Sequence, residues 1–407
     1  MRSRVAALTL LVMGLGAVVR GGVMPEDELL VSILDTHEGL AEVVDNAAEY
    51  RLQVVLGLVE EGPDGTPILR QHAFRAGAEY FYPASTVKLF AAVAAAQKVA
   101  ELRETTGLAI DLDTPLVYHP QFEDGEVEAE DPDNVESGKV TVRGQIRKIF
   151  LVSDNQAYNY LYELVGQDGL AESLRGAGLD APRVVHRLSE FRSAEENLQS
   201  PRIDFLGEDF AHSLPTRTAE PLPPAAPIDR SLVGKGYYSG EELIEEPMDF
   251  TLKNYCPLVD LQRGLCMVVR PDVDCGGPGF ELEETDREMM LEAMSQYPRE
   301  STNPVYDPEE YPDTYVKDLL PGLERVVPRE KLRIYNKTGQ AYGFSTENAW
   351  VVNTETGEGF FLAATLYTNA DGILNDDEYE YEKTALPFMA DLGEAVARAL
   401  WQIPKKK

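Results

Sequence analysis

Ser85-Thr86-Val87-Lys88, Ser153-Asp154-Asn155 and Lys337-Thr338-Gly339 each occur once in the chain, in that order. Between them they hold the parts of an acyl-transfer site. A serine hydroxyl attacks a carbonyl only when a neighbouring base takes its proton, and a lysine held neutral is such a base. Ser85 and Lys88 stand three positions apart, so on a helix they share a face, with Cβ atoms roughly 5–6 Å apart. Pro83 just ahead and the alanine-rich run over residues 86–102 predict that Ser85 opens a helix. There its N–H is free and the helix dipole favours developing negative charge. Lys337 keeps the site positive, which helps Lys88 stay neutral and attracts an anionic substrate.

The ordered set SxxK, SDN and KTG resembles the active-site signature of class A β-lactamases and penicillin-binding proteins. The resemblance implies roles for each group. Ser85 attacks and becomes acylated, and Lys88 takes its proton directly or through water. Ser153 relays a proton to the leaving nitrogen. Asn155 holds the substrate amide and supports Lys88. Lys337 and Thr338 bind a substrate carboxylate, and Gly339 lets the substrate backbone approach the strand. The N–H groups of Ser85 and Gln340 form the oxyanion hole, worth about 3–4 kcal/mol per donor in comparable hydrolases. Asp154 reads as a structural residue behind the loop, and Tyr158 and Asn159 read as packing positions. Tyr342 and Phe344 are equally candidates for cleft walls and for substrate stacking.

Class A enzymes also carry a loop glutamate beyond SDN, in an E-x-x-x-N pattern, that activates the water releasing the acyl group. Here Glu190 falls closest by distance from Ser153, but Ala194 stands where its asparagine partner belongs. Glu195 and Glu196 have the wrong spacing to Asn197. A surface ion pair is the plainer role for each of them. No Arg or Lys follows Lys337 until Lys383, so a second cationic anchor is missing from the next strand.

Composition narrows the field. The chain has 407 residues, 43% of them hydrophobic, and a net charge of −33. That charge opposes binding to nucleic acid or anionic membranes and reads as a solvated acidic surface. Arg2 and Arg4 precede an apolar run over residues 5–19, which suits an export signal and is short for a spanning helix. Residues 1–22 are therefore expected to be a signal peptide or, uncleaved, an N-terminal anchor. The expected location is the periplasm or cell exterior, with no later span. Two of Cys256, Cys266 and Cys275 would pair in an oxidising compartment, leaving one over. Metal-ligand spacings of the C-x-x-C and H-E-x-x-H types are absent, so neither a metal nor a cofactor is expected. Gly234, Gly236 and Gly240 miss the dinucleotide spacing and read as a turn.

The elements that must position these groups follow in order. Residues 26–50 have helical apolar spacing, and 51–60 and 66–76 are β-prone runs around a Gly-Pro-Asp-Gly turn. An acidic loop spans 121–134, and 141–151 leads to SDN. Helical patterns cover 158–165, 169–175, 257–269 and 285–297. Strands are expected at 332–336, 349–354 and 359–368, and a closing amphipathic helix at 384–402. This is an α+β arrangement: an antiparallel sheet flanked by terminal helices, with an inserted, mostly helical subdomain. The resemblance implies the same β-lactamase/transpeptidase-like fold for residues 23–407. Residues 214–228 and 298–313 read as exposed loops, within surface insertions over about 200–320 that lengthen the cleft rim.

The expected function is an exported serine hydrolase that cleaves a β-lactam-type amide through acyl-Ser85. The alternatives are a penicillin-binding protein or D-alanyl-D-alanine peptidase, and a sensor that holds its acyl group. The expected partner is a small-molecule β-lactam or a peptidoglycan-type peptide, met by a monomer. A Ser-His-Asp esterase is disfavoured because no G-x-S-x-G elbow is present.

Overall fold

β-Branched and apolar residues over 53–74 fold into a hairpin, β1 (Gln53–Glu61) and β2 (Pro67–Phe74), turned at Gly65 with φ +86°. This computed structural model describes residues 23–123, 125–223 and 229–402. The C-terminal strands β3 (Leu332–Asn336), β4 (Gly339–Ala341), β5 (Phe344–Asn353) and β6 (Gly359–Tyr367) join that hairpin. The sheet runs β3-β5-β6-β1-β2, with β4 also paired to β5, and every pairing is antiparallel.

The pleat sorts the core. Val54, Leu56, Leu362 and Ala364 point to one face, where helices α1 (Glu28–Leu34) and α7 (Leu386–Trp401) cover them. Val55, Phe361 and Ala363 point to the other, toward α2 (Lys88–Thr106) and α5 (Leu258–Val269). Successive side chains on a strand face opposite ways, so β1 and β6, covered on both sides, read as near-continuous apolar runs.

The helical part holds SDN. Helix α3 (Val142–Leu151) starts at Thr141, whose Oγ1 accepts from Gly144 N at 3.1 Å. Helix α4 (Asn155–Gly176) starts at Asp154, whose carboxylate accepts from Ala157 N at 2.7 Å. Asp154 is thus an N-cap, as its expected structural role requires. Tyr158 and Asn159 are buried on the following turn. Helix α6 (Glu284–Ser295) packs beside α3.

The fold is α+β, with the antiparallel sheet and terminal helices expected, but several elements differ from the sequence reading. The helical spacing over 26–50 is broken into α1, a 3-10 turn at Glu38–Leu40 and a short helix at Ala41–Asp45. The strand expected at 349–354 begins earlier, at Phe344, because Ser345, Thr346, Glu347 and Asn348 are buried polar residues that pair with β6. The expected loop over 214–228 contains strand residues Arg217–Thr218, which pair with Gln199–Ser200. More broadly, residues 199–249 form small β-ribbons, such as Ile203–Leu206 with Ala211–Leu214 and Gly236–Ser239 with Glu242–Ile244. These strands are too short to show an alternating pattern. Cys266 and Cys275 form a disulfide with Cα atoms 6.5 Å apart, leaving Cys256 free and buried. The N-terminal segment read as a signal or anchor lies outside the described residues. Among those described, no helix is long and apolar enough to cross a membrane.

Candidate active site

Ser85 sits in a 3-10 turn, Ala84–Val87, that runs directly into α2 at Lys88. In a 3-10 turn residues i and i+3 eclipse, so Ser85 and Lys88 lie on one face of the turn. Ser85 is half-buried, and among the described residues its hydroxyl has no hydrogen-bond partner. Ala84, just before it, has φ +46°.

Lys88 is fully buried. Its Nζ donates to Ser153 O at 2.5 Å and to Asn155 Oδ1 at 2.7 Å, and lies 3.4 Å from Ser153 Oγ. A neutral amine has two N–H groups, and these two acceptors use both, leaving the lone pair to receive a proton. Burial, and then the positive charge of Lys337, push the Lys88 ammonium well below the ordinary lysine range, against a smaller pull from Asp154. Ser153 adopts φ +59°, a conformation that brings its carbonyl and its hydroxyl to the same lysine.

Lys337, at the end of β3, donates to Ser153 Oγ at 2.8 Å and to Thr338 O at 2.8 Å. Ser153 Oγ is therefore shared by two lysines. Burial pushes Lys337 down to about 7, opposed by Glu347 and Asp318 and reinforced by Lys317. The Thr338 hydroxyl is within bonding distance of Asp318 Oδ2 at 2.7 Å and Thr346 O at 3.1 Å, so its proton is already committed inside the protein. Gly339 has a different reason to be glycine than the one expected. A β-carbon there would meet Ser85 N at 2.6 Å and Pro83 O at 3.0 Å, so the missing side chain lets β4 lie against the Ser85 turn itself. Gln340 is exposed beside it.

The loop after residue 186 brings a group that sequence reasoning missed. Asn155 Nδ2 donates to Ser189 Oγ at 2.7 Å, so a hydroxyl borders the site there. Glu190, the next residue, is held by other groups. Its carboxylate accepts from Arg192 Nε at 2.6 Å and Asn159 Nδ2 at 3.4 Å, with Arg187 Nε at 3.8 Å. Among the described residues no ion pair or hydrogen bond links Glu190 to Lys88 or Asn155. Ser189 adopts φ +52°, and Tyr342, beyond β4, adopts φ +55°. Ala84, Ser153, Ser189 and Tyr342 thus place four left-handed non-glycine residues around one site. Each costs of order 1–3 kcal/mol, and such strain collects where side chains must be aimed.

Sequence reasoning also missed the buried charges behind β3 and β5. Lys317 donates to Asn336 Oδ1 at 2.6 Å, and Asn336 donates to Glu347 Oε1 at 2.8 Å. Glu347 Oε2 accepts from Asp318 N at 3.2 Å. Nothing in the local sequence marks these residues as neighbours. His37, Asp391 and Glu394 have ligand atoms close enough to hold an ion, but Arg325 already bridges the two carboxylates at 2.6 and 2.9 Å.

Residues 70–206 match the family model described as the Beta-lactamase enzyme family. The resemblance to β-lactamases holds. It spans Ser85, Lys88, Ser153 and Asn155 but not the KTG strand. Solved structures similar to the chain include the β-lactamase from Desulfarculus baarsii, at 16% identity, covering 91% of this chain and 97% of that one with a TM-score of 0.49. The β-lactamase from Streptosporangium roseum is 17% identical, over 90% and 99% of the two chains, with a TM-score of 0.47. That from Burkholderia ambifaria is 17% identical, over 89% and 98%, with a TM-score of 0.46. No curated protein matches the chain in sequence.

Proposed function

We propose that this protein is an exported serine hydrolase of the β-lactamase-like kind, opening a β-lactam-type amide through an acyl-Ser85 intermediate. The observation that carries the reading is the wiring of Lys88. It is a fully buried amine whose two N–H groups are taken by Ser153 O and Asn155 Oδ1, beside an unpartnered Ser85 hydroxyl.

In this reading Ser85 Oγ attacks the amide carbonyl and its proton passes to the Lys88 lone pair. The carbonyl oxygen gathers negative charge against the N–H groups of Ser85 and Gln340. Ser153 Oγ, shared by Lys88 and Lys337, delivers a proton to the leaving nitrogen as the C–N bond breaks and takes in its place the proton held by Lys88. Water then hydrolyses the ester and Ser85 regains its proton. Asn155 holds the substrate amide, and Lys337 supplies the positive charge for a carboxylate. Thr338 supports that carboxylate only when Asp318 does not hold its proton. Residues 200–320 are read as insertions on the domain 23–407 that build the cleft rim, and residues 1–22 as the export signal.

A second reading has a specific observation behind it. Glu190 is tied to Arg192 and Asn159, and Ser189 is the loop side chain bonded to Asn155, so among the described residues no carboxylate is hydrogen-bonded to Lys88 or Asn155 to activate the water. A long-lived acyl-enzyme, as in a penicillin-binding protein or sensor, fits that arrangement.

Intact-mass spectrometry after mixing with a penicillin separates the cases. An adduct on Ser85 that appears and decays with product release supports hydrolysis. A persistent adduct supports the second reading. The absence of any adduct overturns the acyl-Ser85 assignment.

A further inference from the structure

A cavity of about 770 Å³ opens beside the site. Tyr82, three residues before Ser85, and Tyr342, just beyond β4, form part of its wall, together with Ser189 and Glu190 from the loop and Lys253 from the inserted segment. Tyr82 and Tyr342 pack edge to face with each other and with the buried Phe250 behind them, with centroids 5.1–5.7 Å apart, so that part of the wall is aromatic and braced.

Lys253 is the unusual member. In a chain of net charge −33 most cations find a carboxylate, yet among the described residues Lys253 has none. Its ammonium instead lies 5.5 Å from the Tyr342 ring centre and 6.0 Å from that of Phe250. Of the acids that line the cavity, Glu190 is paired with Arg192 and Asp249 accepts from the N–H of Thr251 at 2.8 Å, and neither these nor Glu195 pairs with Lys253. Burial depresses Lys253, and its charge helps keep the buried ring of His186 neutral. Arg183, on the segment bridged to Tyr255 through backbone bonds of 2.7 and 3.0 Å, adds a second positive group to the cavity.

The cavity lies on the Asn155 side of the site, because Ser189 both lines it and accepts from Asn155. The strand after Lys337 lacks a second cation, and the inserted segment supplies one from another direction.

We propose that Lys253 is the cation of an anion-binding subsite that receives a carboxylate carried on the acyl side chain of the substrate. The inference rests on the acyl-Ser85 reading. The preferred substrates are therefore amides whose side chain pairs an aromatic ring, for the Tyr82 and Tyr342 wall, with a carboxylate for Lys253.

The test compares a penicillin with an aryl side chain bearing a carboxylate against its neutral arylacetyl counterpart. In native protein the anionic compound is expected to have the lower KM for acylation. Lys253→Met is expected to erode that preference by roughly tenfold, the loss typical of one charge-assisted contact, and Lys253→Arg to retain it. An equal change for both compounds in Lys253→Met overturns the proposal. A binding measurement separates this failure from failure of the acyl-enzyme reading: phenylmalonate is titrated into Ser85→Ala protein with and without Lys253→Met. Binding that Lys253→Met weakens supports the subsite even where no penicillin acylates Ser85, and binding that Lys253→Met leaves unchanged, or no binding to either protein, overturns it.

Discussion

Gly339→Ala tests whether the contact between β4 and the Ser85 turn sets the reaction geometry. The new β-carbon would stand 2.6 Å from Ser85 N, 3.0 Å from Pro83 O and 3.0 Å from Thr86 N. Carbon prefers about 3.5–4 Å to its neighbours, so relieving the clash takes about 1 Å of movement. All three atoms are backbone, and no flexible side chain is there to give way. Either β4 shifts off β5, to which Gly339 is paired opposite Thr346, or the strained turn at Ala84 moves. Both change the distance between the N–H groups of Ser85 and Gln340. Overpacking of this kind costs about 1–3 kcal/mol of stability. Misplacing one oxyanion donor costs about 10²–10³ in rate. The expected outcome is a protein that melts a few degrees lower and acylates with a penicillin about a hundredfold more slowly. Gly357→Ala is the control: Gly357 has a positive φ, +74°, which Gly339 lacks, and no atom lies within 4 Å of its β-carbon position. It should lose about 1–2 kcal/mol of stability and acylate normally. Time-resolved intact mass and thermal melts read both effects. Gly339→Ala acylating within about threefold of native, with the melt lowered as expected, would refute the reasoning, because the clash would then be absorbed without disturbing the donors.

Ser85→Ala is expected to abolish covalent labelling by a fluorescent penicillin while leaving the melt close to native, since the hydroxyl has no partner to lose; retained labelling would exclude Ser85 as the nucleophile. Acylation needs neutral Lys88, so its rate should rise with pH along a limb lying well below the ordinary lysine pKa. Lys337→Met removes a positive charge that disfavours a second one on Lys88, so the limb should move to higher pH; a limb that stays put or moves lower would contradict the coupling. Ser189→Ala and Glu190→Gln, followed by mass through acyl release, discriminate the loop groups. If Glu190 swings in to activate water, Glu190→Gln should prolong the adduct by about a hundredfold or more, whereas equal release from both variants and native removes each from that step.

The reacting groups were legible because their chemistry is local. Ser85 and Lys88 are three residues apart, Ser153 and Asn155 two apart, and Pro83 with the alanine run marks where the helix begins. The sheet was legible for a related reason, since Val54, Val55 and Leu56 need burial on both faces. What the sequence hid depends on contacts between distant segments. Gly339 read as room for a substrate, whereas it makes room for Ser85 N across an interval of roughly 250 residues that no spacing rule spans. Glu190 was chosen by its distance from Ser153, but the backbone at Ser189 turns a hydroxyl inward and sends the glutamate to Arg192. The ribbons over 199–249 escaped because strands of two to four residues carry no measurable period.

The buried charges behind β3 give the site its odd economy. Lys317, Asp318, Lys337 and Glu347 are all shielded from water, and each alone would cost several kcal/mol to bury. They are joined through neutral side chains: Lys317 reaches Glu347 by way of Asn336, and Thr338 stands between Asp318 and the cleft. Burial pushes both acids up and both lysines down, so the set moves toward sharing protons and away from holding full charges. That explains how Lys337 can sit one serine hydroxyl away from Lys88 without forcing it out of the site. A fully hydrated lysine at that position would hold its charge firmly and also lack the fixed angle that Ser153 Oγ requires. The same wiring commits the Thr338 proton to Asp318, so among the KTG residues Lys337 is the group left to meet an anion. Lys253, which lies over the Tyr342 ring and among the described residues has no carboxylate partner, is the second cation that the proposed side-chain subsite uses.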